Sequence, residues 1–333
     1  MMESLKDILK DWMLPISMTA GALSYIIYAN IPFLAPAGHY LSHAVDILQP
    51  VLIFSMLFLT FNRISPRDIR PRKWHAWLLL FQTVAFLLLA AVLKILPEEL
   101  HAGVLVESAM LCLICPTATA SAVVTGKLGG DIAGLTAYLV IVNMVVAVLV
   151  PLVVPIVHPQ TGVDFFTACS MIMAKVFPML ICPCILAWIV RFLMPKLHRK
   201  LLRYPDLAFY LWSVSLALAI AVTTRSIYHS TVPVSYLFGI AAVALVCCAL
   251  NFIVGKKVGK RYGDALTPGQ SAGQKNTMFA IWMGYTFMTP VTSVAGGMYS
   301  IWQNAYNSWQ LYRKRKKDAM QGGKDNQIGG REV

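Results

Sequence analysis

Apolar runs of about 20 residues, the length a helix needs to cross a bilayer, follow one another along nearly the whole chain. They restrict the fold more than any motif does. Only 13% of the residues are charged and 58% are hydrophobic, whereas a soluble domain carries about 25% charged residues. The expected fold class is an all-α polytopic membrane protein. Ten runs can be drawn, near 12–31, 41–62, 74–96, 102–127, 130–157, 166–193, 206–226, 233–255, 267–289 and 290–312. From Asn276 to Tyr312 there is no Asp, Glu, Lys or Arg. That stretch is too long for one crossing helix, so it is divided at Thr289-Pro290. Residues 1–317 then form a single transmembrane domain, and the polar, Gly-rich residues 318–333 an expected disordered cytoplasmic tail.

The formal net charge is +13. In a soluble chain this would suggest nucleic acid. Here the bases gather in short loops between apolar runs, and no nucleic-acid partner is expected. Arg63, Arg67, Arg70, Arg72 and Lys73 follow the second run, and Arg191, Lys196, Arg199, Lys200 and Arg203 the sixth. Lys256, Lys257, Lys260 and Arg261 follow the eighth, and Arg313 to Lys317 the tenth. The alternate loops hold Glu98, Glu99, Asp164 and Arg225. Short basic loops stay in the cytoplasm, which puts both termini there and the chain in the plasma (inner) membrane. The segment MMESLKDILKDW alternates acids and bases and lacks the marks of a cleaved signal. Its first apolar run is expected to be retained. Ten runs divide into halves of opposite orientation, about 12–157 and 166–312, the geometry of two inverted five-helix repeats.

All seven cysteines lie in apolar runs. Cys112 and Cys115 stand C-x-x-C, but without further ligands nearby they read as small packing residues, and no metal or cofactor is expected. No nucleophile–base pair stands among the intramembrane polar residues, so an enzyme is not expected either.

The fourth run of each half is unusually polar. Run four reads HAGVLVESAMLCLICPTATASAVVTGKLGGD. Pro116 removes a backbone donor and clashes with the preceding turn. Thr117, Thr119 and Ser121 can cap the freed groups and start a new half-helix. Run nine reads TPGQSAGQKNTMFAIWMG, where Pro268, Gly269 and Gly273 break the helix and Asn276 and Thr277 can restart it. Irregular backbone at membrane depth is tolerated only where it is buried in protein or lines a cavity. The plainer reading is two Pro-kinked helices packed by small residues. The sharper one is a transport site where broken helices 4 and 9 cross. Half-helix N-termini carry partial positive charge and favour an anion. The candidate substrate-binding residues are Thr117, Thr119, Ser121, Asn276, Thr277 and, on run ten, Asn304.

The run CPTATASAVVTGKLGGD resembles the first broken-helix motif of the bile acid:sodium symporter superfamily, where C-P-G-G-T-A-S-N is common. LIFSMLFLTFNRISPRDIR resembles its second-span motif, and SAGQKNT sits where the family has E-x-G-x-Q-N-x. The resemblance implies a secondary transporter, a symporter of small organic anions such as bile-acid-like or carboxylate compounds, working by alternating access. It also implies sodium sites built from oxygens of the two broken helices. Ser121 matches a hydroxyl position, but Ala122 stands where asparagine is usual. Ser271 replaces the acidic ligand, and Lys275 the ligating glutamine. Gln82 matches a third-span glutamine, Leu135 and Leu139 stand where hydroxyls occur, and Asn276 is kept.

These departures remove oxygen ligands for a hard cation and add an ammonium. Lys275 is therefore expected to replace the ion, reaching toward Gln82, Ser271 and the freed carbonyls, so that sodium binds weakly or not at all. The plainer reading leaves Lys275 in a basic loop. Asn276 to Thr289 alone, however, is too short for a core about 30 Å thick at about 1.5 Å per residue. Gln274, Asn143 and Glu107 complete the candidate coupling set, Glu107 as a possible partner of Lys275 or a vestibule group. Import of a monoanion without co-ions runs against an inside-negative potential, so proton coupling and uniport export both stay open. The alternatives are a sodium-coupled symporter with rebuilt ligands, an arsenite-type exporter using Cys115, and a non-transporting membrane sensor.

Overall fold

The computed structural model describes residues 2–97, 102–159, 162–204 and 207–329. Glu98 and Glu99 lie outside them. The described residues form α1 (Met2–Asn30), α2 (Gly38–Phe61), α3 (Lys73–Ile95), α4 (Ala102–Ile114), α5 (Ser121–Leu128), α6 (Ile132–Val157) and α7 (Phe165–Leu180). They continue as α8 (Cys182–Leu193), α9 (Pro195–Leu202), α10 (Leu207–Tyr228), α11 (Val234–Lys260), α12 (Leu266–Gly273), α13 (Thr277–Phe287) and α14 (Ser293–Gly329).

The expectation of ten crossing helices, and of two five-helix repeats with it, is overturned. Among the described residues six helical stretches are long and apolar enough to cross a membrane: Pro32–Phe61, Lys73–Ile95, Ile132–Val157, Phe165–Leu193, Leu207–Tyr228 and Val234–Lys260. The reason lies in the chain's own chemistry. Run four is divided into α4 and α5, and run nine into α12 and α13, none more than 13 residues long. At about 1.5 Å per residue none of these spans a core of about 30 Å. Runs one and ten do form long helices, α1 and α14. Polar groups such as Gln303, Asn304 and Asn307 interrupt the apolar character of α14.

Burial separates two kinds of helix. α12 is buried from Thr267 to Gly273 and α13 from Thr277 to Gly284. A helix covered on every side belongs to the interior. The long helices instead turn large apolar side chains outward, including Leu88 on α3 and Val246 and Phe238 on α11, as lipid contact requires. Ends are fixed locally. Asp131 caps α6 by accepting from Gly134 N at 2.9 Å. Asp264 accepts from Leu266 N and Thr267 N, both at 2.9 Å, where α12 starts. Gly129, at φ 87°, closes α5 in a left-handed conformation that L side chains rarely adopt. α11 and α12 meet where Gly255 has no side chain: a Cβ there would come within 2.4 Å of Pro268 O.

Candidate functional site

The interruptions of the two broken runs touch. Thr117 and Lys275 form an isolated antiparallel bridge, in which Ala118 N donates to Gln274 O at 2.9 Å and Asn276 N to Pro116 O at 2.8 Å. Both interruptions thus find main-chain partners in each other, which is how backbone leaves a helix at membrane depth without orphaned polar groups.

The paired residues then cap one another's helices. Thr117 Oγ1 donates to Ser271 O in the last turn of α12 at 2.7 Å. Lys275 Nζ donates to Leu113 O in the last turn of α4 at 3.1 Å, and to Gln82 Oε1 at 2.9 Å. Other donors complete the set. Gln82 Nε2 donates to Ile114 O at 2.7 Å, and Asn251 Nδ2 lies 3.4 Å from Cys112 O. Tyr299 OH donates to Gly273 O at 2.9 Å. The last three carbonyls of α4 each meet a side-chain donor from a different element. Gln303 straddles the backbone of Lys275, accepting from its N–H at 2.8 Å and donating to its C=O at 3.2 Å.

Lys275 is 2% exposed. A buried ammonium costs several kcal/mol unless it is well solvated by protein. Here two oxygens and the negative end of α4 solvate it. No carboxylate pairs with it among the described residues. An ammonium has three donors, and the third has no protein acceptor among the described residues. Ser271 Oγ is likewise buried without a hydrogen-bond partner.

The structure gathers Gln82, Thr117, Ser271, Gln274, Lys275 and Asn276 at this crossing. Asn276 Oδ1 caps α13 by accepting from Phe279 N at 3.2 Å. Gln274 Nε2 donates to Gln270 Oε1, and Ser121 Oγ to Ala118 O at 2.6 Å. Thr277 is buried at the first position of α13, and Thr119 is half-buried beside the bridge. Three other candidates have their hydrogen bonds elsewhere. Asn304 bonds to Ser300 O at 2.7 Å within α14. Asn143 bonds to Leu139 O at 2.6 Å within α6, its Oδ1 unpartnered. Glu107 does not pair with Lys275. It accepts from Thr289 N and Thr289 Oγ1, both at 2.9 Å, and lies 3.4 Å from His158 Nε2. Sequence reasoning passed over Gln303, Tyr299 and Asn251 as site groups. Their only signal was polarity inside an apolar run.

Fold and site together define a polytopic α-helical membrane protein whose two interrupted helices meet in its interior. The family model described as the Sodium Bile acid symporter family matches residues 75–250, just over half of the chain, and the chain belongs to that family. The matched residues include Gln82, Glu107, Thr117 and Ser121 and stop short of α12. No curated protein matches the chain.

Proposed function

We propose that this protein is a secondary transporter of a small organic anion, moving it by alternating access at the crossing, with Lys275 in the place of a coupling sodium ion. The observation that carries this reading is the position of Lys275 Nζ, 2.9 Å from Gln82 Oε1 and 3.1 Å from Leu113 O. A cation fixed there already solvates the end of α4, and it repels a second cation. Three features favour an anionic substrate: the free third donor of the ammonium, and the N-termini of α5 and α13 on either side of the bridge. A bile-acid-like or carboxylate compound suits them.

Coupling is then sodium-independent. One charge moved through 100 mV is worth about 2.3 kcal/mol, so a monoanion either leaves the cell or enters with protons. The basic loops after the second, sixth, eighth and tenth runs favour cytoplasmic termini.

The test is the thermal midpoint of the purified protein in sodium chloride and in choline chloride, for wild type and Lys275→Gln. A ligand that binds only the folded state raises stability by RT ln(1 + [L]/Kd). Sodium is expected to leave wild type unmoved and to stabilise the variant. Stabilisation of wild type by sodium would mean a sodium symporter with rebuilt ligands, and the lysine reading would fail.

A further inference from the structure

A groove of about 470 Å³ lies between α3 and α11. Trp77, Leu80, Val84 and Leu88 of α3 form one wall, Val258 of α11 faces them, and Arg261 at the end of α11 is its charged residue. The α3 residues follow one another at three- and four-residue spacing, so they lie on one helix face. From Trp77 to Leu88 that face is about 16 Å long at about 1.5 Å per residue. This is about half of a hydrocarbon core about 30 Å thick, the depth of one leaflet.

The groove has a polar end and an apolar end. Trp77 Nε1 donates to Tyr262 OH at 2.8 Å, which fixes the first turn of α3 beside the end of α11. Trp and Tyr are the residues of the membrane–water interface. Lys73 opens α3 there, and Lys257 and Lys260 stand in the last turn of α11. Arg261 forms no ion pair among the described residues. The remaining lining is apolar, and Leu80 and Leu88 are 53% and 62% exposed.

We infer that this groove is a binding site for an anionic phospholipid of the leaflet on the basic side. One acyl chain lies along Trp77 to Leu88, and the phosphate meets Arg261. The charge of Arg261 and its lysine neighbours selects an anionic headgroup over a zwitterionic one. The occupant braces α3 against α11, the helices that present Gln82 and Asn251 to the end of α4. The inference stands apart from the transport reading, since it needs only a membrane.

The test titrates the detergent-purified full chain with short-chain phosphatidylglycerol, short-chain phosphatidylcholine or inorganic phosphate, reading the thermal midpoint. Phosphatidylglycerol should stabilise wild type at lower concentration than phosphatidylcholine. Arg261→Gln should weaken the phosphatidylglycerol response about fivefold, the equivalent of about 1 kcal/mol per basic residue near the surface, and weaken the phosphatidylcholine response less, because choline already offsets that lipid's phosphate. Val84→Trp, which fills the groove, should abolish both responses. Equal responses to the two lipids in wild type, or a phosphatidylglycerol response that Arg261→Gln leaves undiminished, would overturn the assignment. So would inorganic phosphate reproducing the shift, which would mark a free-anion site instead.

Discussion

Gln82 and Lys275 share one hydrogen bond, and the two side chains can be removed separately or together. Gln82→Leu deletes two contacts: the acceptor for Lys275 Nζ at 2.9 Å and the donor to Ile114 O at 2.7 Å. Leaving Ile114 O buried without a donor costs about 1–3 kcal/mol, and a hydrogen bond to a charged group is worth about 1.5–3 kcal/mol. The single substitution should therefore cost about 2.5–6 kcal/mol in the sum of those two ranges. In a Lys275→Met background the ammonium is already gone, and only the Ile114 loss remains. The double variant should be more stable than the summed single losses by about 1.5–3 kcal/mol. Denaturant unfolding of the four proteins in one detergent measures this. Additivity to within about 0.5 kcal/mol would refute the picture of Gln82 as the ammonium's protein solvent.

Thr117→Val keeps the shape of Thr117 but removes the donor to Ser271 O, and should cost about 1–3 kcal/mol; Thr117→Ser should recover most of it in the same unfolding assay. Gly255→Ala sets a Cβ within 2.4 Å of Pro268 O and 2.8 Å of Gly269 Cα. Neither backbone atom can swing away, so a loss of about 1–3 kcal/mol is expected, and an unchanged midpoint would mean that α11 and α12 pack less closely. The carboxyl of Asp164, outside the spanning segments, is held below its usual pKa, first by the Thr167 side chain and then by the amides of Thr167 and Phe166. Its contribution is complete above the unfolded value of about 4 and fades as pH falls through the lower folded value. The midpoint gap between wild type and Asp164→Asn should be constant from pH 7 to pH 5 and close below pH 4. A gap that persists into acid would remove the cap from the account.

The helix ends at the crossing were legible because their causes are local. Pro116 cannot donate to the preceding turn, and Asn276 is a natural cap. Lys275 was legible by length, since the helix after it is too short to cross alone. The span count was not legible. It treated every apolar run as one crossing helix, while α4, α5, α12 and α13 are short pieces whose depth depends on what covers them. Glu107 shows the same limit. Its spacing along α4 gave its turn of the helix, but its partners Thr289 and His158 lie 182 residues and about 50 residues away along the chain, and only packing unites them.

The joint itself is made of main chain. Ala118 N–H meets Gln274 C=O, and Asn276 N–H meets Pro116 C=O. Proline costs nothing at position 116, because the bridge uses only its carbonyl. The two main-chain bonds of the joint do not depend on the side chain at position 275, which instead sets what meets Gln82 Oε1 and Leu113 O. On the proposed reading, the change from an ion ligand to a tethered charge is then a change of side chain alone. If the proposed reading holds, the energy source can be exchanged while the main-chain frame that holds it stays as it is.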